Sequence, residues 1–135
     1  MSGAANKALV EQYWDSWNTG DVATLDALFS PTIASQFKDY VTWTRTVIPD
    51  CTVTVEDLIA EGDKVVTRYT VRGTHQGPWE LRDLGTIPPT GKQVRLAGIN
   101  IFRITNGKIT EEWDSSDLLD ALRQLGVVAV GVQPG

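Results

Sequence analysis

The sequence predicts an α+β fold. It is a cone-shaped barrel made from a curved antiparallel sheet, with N-terminal helices on one face enclosing a pocket. Three observations carry that expectation. Apolar residues recur at helical spacing from Leu9 to Ile48. From Cys51 onward the period changes to two. Glu61-Gly62-Asp63 and Asn106-Gly107 are tight-turn signals, and consecutive strands joined by such turns run antiparallel.

Leu9, Val10, Tyr13, Trp14 and Trp17 place a wide apolar stripe on a first helix, which Asn18-Thr19-Gly20 ends. Asp21 is expected to cap a second, shorter helix with Val22, Leu25, Leu28 and Phe29 on one side, closed by Pro31. A third helix is expected from about Gln36 to Ile48, with Phe37, Tyr40, Val41, Thr44 and Val47 or Ile48 inward, ended by Pro49-Asp50. Val53, Val55, Leu58 and Ile59 then mark a strand with an irregularity near Asp57. Lys64–Thr74 alternates as a long strand, and His75–Gly91, rich in Gly and Pro, reads as a loop. Strands follow over Lys92–Ile104 and Lys108–Asp114. Ser115 or Ser116 is expected to cap a last helix carrying Leu118, Leu119, Leu122 and Leu125, stopped by Gly126. The tail Val127–Gly135 is expected to pack across an edge or a partner subunit.

A chain of 135 residues is expected to form one domain, residues 1–135, with its core at about 7–126 and residues 127–135 as a tail. It should bury roughly 65–70% of its unfolded surface, enough for a core and a pocket. Five tryptophans are many for this length, and such rings line pockets as well as cores. A formal net charge of −5 argues against a nucleic-acid or anionic-membrane surface, which would need a basic patch. Cys51 is the one cysteine and His75 the one histidine, so there is no internal disulfide and no His-rich metal centre. Without a basic, then apolar, leader or a long apolar run, a soluble cytoplasmic protein is expected.

Several stretches carry a resemblance. They are Tyr13-Trp14-Asp15-Ser16-Trp17-Asn18-Thr19-Gly20-Asp21, Val53 through Asp63, Gly73-Thr74-His75, and Ile87-Pro88-Pro89-Thr90-Gly91-Lys92. Ile101-Phe102-Arg103-Ile104 and Gly107-Lys108-Ile109 leading to Glu112-Trp113-Asp114 complete the set. In order and spacing, from about Lys7 to Gly126, the chain resembles the SnoaL-like polyketide cyclases of the nuclear transport factor 2-like superfamily. The resemblance implies a cone with an apolar pocket and no cofactor. It also implies that the aspartate matching Asp114 is the general acid/base of an intramolecular aldol closure. Two family positions differ: a Gln and a His two residues apart on the preceding strand are here Gly98 and Asn100. A family His after the second helix is replaced by Ser35 or Gln36.

Read from the residues themselves, Asp114 ends a strand beside Trp113, where apolar surroundings can raise a carboxyl pKa into the range for proton transfer. It can equally cap the last helix or sit solvated. Asn100 shares a strand face with Gly98 and Phe102 and can hydrogen-bond a substrate oxygen. Gly98 marks a bulge or clears space for a ligand. His75 stands at the end of a strand, either half-exposed and bonded to the following loop or as a proton shuttle. Asp114, Asn100 and His75 are therefore the candidate catalytic residues. Trp14, Trp17, Tyr40, Trp43, Trp79, Gly98 and Phe102 are the candidate substrate-binding residues. The loop Gln76–Thr86 is a candidate lid.

The expected activity is cofactor-independent ring closure or isomerisation of a small, largely apolar, carbonyl-containing substrate. A hydrolase or epoxide-opening enzyme fits the same scaffold, but it needs a second acid that the sequence does not place. A non-catalytic ligand-binding dimer module is a third alternative. A homodimer or homotetramer is expected, with Arg68, Tyr69, Arg72 and Arg103 at the interface.

Overall fold

A computed structural model describes residues 2–127. Helix α1 spans Gly3–Thr19. Ser2 caps it by accepting from the Ala5 amide at 3.1 Å, so it starts before the apolar stripe does. Gly20 ends it at φ 77°, a left-handed conformation suited to glycine. The Asp21 side chain accepts from the Ala23 amide and holds a turn, and the short helix α2 forms only over Leu25–Leu28.

Helix α3 spans Pro31–Val47 and corrects the expected boundary. Pro31 does not close α2; it opens α3, because a first-turn position needs no N–H and favours the φ of proline. The expected inward set faces the interior, with Phe37 and Tyr40 lining the hollow between the helices and the sheet. Val41, Thr44 and Val47 are buried, whereas Tyr40 is 47% exposed.

Among the described residues, four antiparallel strands make one sheet in the order β1-β2-β5-β6. They are β1 (Thr52–Glu61), β2 (Lys64–Thr74), β5 (Gln93–Thr105) and β6 (Lys108–Ser116). The pairing of β1 with β2 slips between Val55 and Asp57, where the sequence signalled an irregularity. The expected loop after His75 carries its own hairpin, β3 (Trp79–Leu81) with β4 (Gly85–Ile87). Strand β6 runs past Asp114 to Ser116, so neither Ser115 nor Ser116 caps the last helix. Asp117 does so by accepting from the Asp120 amide at 3.1 Å, and α4 covers Leu118–Gln124. The expected packing of the tail concerns residues 128–135, which lie outside the described residues.

Helix α1 lies against the inner face of the sheet, and Tyr13 is the centre of the core. Its ring meets Phe29 and Phe102 edge-on, each with centroids 5.4 Å apart. Val10, Val65, Phe102 and Ile109 are fully buried around it, each contributing about 2 kcal/mol through the apolar surface removed from water. This packing seals one end of the space between α1, α3 and the sheet. The other end stays hollow.

Candidate active site

The hollow is a cavity of about 520 Å³, lined mainly by aromatic and aliphatic side chains. Helix α1 gives it Trp14 and Trp17, α3 gives Tyr40 and Trp43, and the β3–β4 hairpin gives Trp79. Arg82, between β3 and β4, is the one cation among the lining residues. It has a positive φ of 33°, uncommon for a side-chain-bearing residue. The polar wall comes from the sheet: Tyr69 on β2, Asn100 on β5, and Glu112 and Asp114 on β6.

Strand alternation explains that convergence. Tyr69 shares a face with Thr67 and Val71, and Glu112 and Asp114 share one face of β6. Thr67 stands opposite Asn100, and Asn100 stands opposite Asp114 across the next pairing. The tyrosine lies opposite Gly98. Its hydroxyl donates to Asp114 Oδ1 at 2.7 Å, although β5 lies between the two strands. Neighbouring strands are about 4.8 Å apart, so the ring has to lie across the intervening strand. A side chain on residue 98 would collide with the Tyr69 phenol. Gly98 therefore clears space for Tyr69 rather than for a ligand, which corrects the sequence expectation.

Asn100 is 2% exposed and bonded on both sides. The Thr67 hydroxyl donates to its Oδ1, and its Nδ2 donates to Glu112 Oε2 at 3.3 Å. This pattern assigns the amide oxygen to Thr67 and the nitrogen to Glu112. Asn100 thus lines the cavity and also fixes a carboxyl group.

Burial raises the pKa of Asp114, and the hydrogen bond from Tyr69 partly offsets the rise. Asp114 lines the cavity and remains solvent-accessible. Glu112 is more strongly perturbed. Burial first, then the neighbouring Asp114 charge, push it from 4.5 to about 7, against the opposing Asn100 bond. Partial burial of its ring in the cavity wall, and then the Asp114 charge, push Tyr40 up to about 12 although its edge is solvent-exposed. Burial and then the Asp114 hydrogen bond hold Tyr69 well above the ordinary phenol value, so it stays a neutral donor.

Sequence reasoning missed two members of this group. The sequence places Tyr69 at an interface beside Arg68 and Arg72, but it has the opposite strand parity and points inward. Glu112 carried a usable signal: it lies two residues before Asp114 and so shares its face. Other candidates fall away from the cavity wall. Phe102 is fully buried in the core beneath it. His75 is fully buried rather than half-exposed. Its Nδ1 lies 2.9 Å from the Thr90 hydroxyl and accepts from the Thr90 amide at 3.3 Å, which ties the end of β2 to the loop before β5. Arg68 pairs with Asp57 at 2.6 Å, and Arg103 with Glu111 at 2.7 Å, on the opposite face of the sheet.

Among the described residues, no group of three or more His, Cys, Asp or Glu side chains is placed to hold a metal ion. No helix among them is long and apolar enough to cross a membrane.

The fold has counterparts among known proteins. The sequence profile of SnoaL-like polyketide cyclases matches residues 7–125. TsrD from Streptomyces laurentii is 30% identical, with a TM-score of 0.86 over 95% of this chain and 99% of its own. AclR from Streptomyces galilaeus, a proposed hydroxylase, is 27% identical, with a TM-score of 0.82 over 98% of this chain and 91% of its own. IdmH from Streptomyces antibioticus, a proposed polyketide cyclase, is 30% identical, with a TM-score of 0.74 over 90% of this chain and 99% of its own. Among curated proteins, none matches. With a profile match over nearly the whole chain and the expected cone in place, this protein belongs to the SnoaL-like polyketide cyclase family.

Proposed function

We propose that the protein is a cofactor-independent cyclase or isomerase acting on a carbonyl-bearing polyketide or similar natural-product intermediate, with Asp114 as the group that moves the proton. The observation that carries this reading is the Asp114 carboxylate on the wall of an aromatic cavity, held at 2.7 Å by the Tyr69 hydroxyl. A flat, apolar ketone suits such walls, and the cavity volume suits a small ligand. Asp114 removes a proton from the carbon next to a carbonyl. Charge developing on oxygen is met by neutral donors that line the cavity, the Asn100 amide from the sheet and the Tyr40 hydroxyl from α3. The β3–β4 hairpin, which brings Trp79 and Arg82 to the cavity, acts as the lid. His75 serves this reading indirectly, by fixing the loop that follows the hairpin. The outer face of the sheet exposes Ile99 and Trp113 and is the surface through which a homodimer or homotetramer would form.

The test uses β-tetralone, a bicyclic apolar ketone, in heavy water. The wild-type protein is expected to exchange its α-hydrogens for deuterium. Asp114→Asn should lose that exchange by about a hundredfold or more while still binding the ketone. Exchange at the wild-type rate in Asp114→Asn would sink the mechanism.

Hydrolysis or epoxide opening is the second reading, and one observation favours it. Glu112 supplies the second carboxyl that such chemistry needs beside a water-activating Asp114. Turnover in heavy-oxygen water separates the two, because ring closure by carbon–carbon bond formation places no solvent oxygen in the product.

A further inference from the structure

Asp114 ends the closing strand, but the same face of that strand carries a second carboxyl group with its own support. Glu112 and Asp114 are separated by one residue, so their Cα atoms are about 7 Å apart along the strand. Both line the cavity. Each is held by a different neighbour: Tyr69 holds Asp114, and Asn100 holds Glu112. The hold on Glu112 reaches one strand further back, because the fully buried Thr67 hydroxyl fixes the orientation of the Asn100 amide. An isolated solvated glutamate would need no such chain. We propose that Glu112 is the proton donor of the site, delivering a proton to the substrate oxygen that becomes negative while Asp114 takes a proton from carbon. This assignment rests on the reading of Asp114 as the base.

The step balances in atoms and electrons. The Asp114 carboxylate removes a hydrogen from the carbon beside a carbonyl. The electrons of that C–H bond form the new carbon–carbon bond to a second carbonyl carbon of the same molecule. The π electrons of this second carbonyl move to its oxygen, which takes the proton of Glu112. Asp114 ends protonated and Glu112 ionised, and one proton relayed through solvent resets the pair. No oxidant, reductant or co-reactant is consumed.

The electrostatics support this direction of transfer. The groups facing Glu112 are Asp114 on its own strand, Asn100 on β5, Tyr13 on α1 and Tyr40 on α3. None is a cation. The negative charge on Asp114 helps keep the proton on Glu112. When Asp114 is neutralised by the substrate proton, that help disappears and Glu112 releases its proton more readily. Capture at one carboxyl thus promotes delivery at the other. The substrate that fits has two carbonyls in one molecule, with the acidic C–H of one and the oxygen of the other reaching the two carboxyl groups at once. A poly-β-ketone is of this class; in a simple monoketone the same two groups act on one carbonyl, Asp114 taking the α-proton and Glu112 protonating the oxygen of the enol that forms.

The experiment compares Glu112→Gln with Asp114→Asn in the β-tetralone exchange assay and follows the Glu112 carboxyl by carbon-13 NMR. In the wild-type protein the Glu112 carboxyl should titrate near pH 7 and exchange should fall as pH rises through that value. Glu112→Gln should bind β-tetralone as well as wild type, slow exchange by about tenfold to a hundredfold, and lose the alkaline fall. In Asp114→Asn the Glu112 midpoint should move down, because the neighbouring charge is gone. Exchange in Glu112→Gln within twofold of wild type, with the alkaline fall intact, would overturn the proposal while leaving Asp114 as the base. A Glu112 carboxyl that titrates at an ordinary glutamate value would overturn it without reference to any substrate. Normal exchange in Asp114→Asn would instead strike the underlying reading.

Discussion

Glu112→Gln should make the protein more stable, and the gain should depend on pH. In the folded state Glu112 is pushed from 4.5 to about 7, chiefly by burial. Below 4.5 it is protonated whether the chain is folded or not, so it contributes no difference. Between 4.5 and about 7 the unfolded chain ionises it while the folded chain keeps the proton, so stability falls as pH rises. Above about 7 the loss is complete. An unscreened shift of this size corresponds to about 3 kcal/mol. The side chain is only partly buried, and solvent screening reduces the figure to about 1–2 kcal/mol. Glutamine keeps the size and can still accept from Asn100, but it does not titrate. Urea denaturation across this range should therefore show the two proteins diverging as pH rises. The midpoint of the variant should finish higher by about 1 M, given the usual slope for a small domain. Asp114 is also raised, so a shallower slope of the same sign should persist in both proteins. Parallel stability curves for wild type and Glu112→Gln would refute the reasoning, because they would place Glu112 in an ordinary solvated environment.

Two further perturbations test the scaffold beneath the carboxyl pair. Gly98→Ala puts a methyl group into the Tyr69 phenol; it should destabilise the fold by about 1–3 kcal/mol and slow β-tetralone exchange, read by urea denaturation and by NMR. Thr67→Val removes the donor to a buried amide oxygen and should cost about 1–3 kcal/mol. It should also raise the alkaline midpoint of the exchange profile, because a loosened Asn100 no longer lowers the Glu112 pKa.

Much of the fold was legible because local chemistry and tertiary structure agree. Gly62 and Gly107 take positive φ at the hairpin turns the sequence marked, and Lys64–Thr74 forms a strand over the expected span. The misplaced boundaries share a cause. Pro31 and Ser115 are ambiguous locally: proline suits the start of a helix as well as its end, and serine can cap a helix or extend a strand. Only pairing settles them, as when Ser115 and Ser116 pair with Ile99 and Gly98. The site was legible one strand at a time. Asp114 and Asn100 stood out as polar residues among apolar neighbours. Tyr69 did not, because its partner lies on a strand two places away and the link depends on what Gly98 lacks. The pull that burial and Asp114 exert on Glu112 is likewise a property of the assembled wall and has no local signature.

The phenol that bridges from β2 to β6 also acts as a fastening. It ties two strands that share no backbone hydrogen bonds, so sliding one past the other would pull the hydroxyl from its carboxylate. The amides of β5 beneath the ring, near Gly98, are therefore expected to exchange with solvent only when β2, β5 and β6 come apart together, making the floor of the cavity one cooperative unit rather than three strands that loosen in turn.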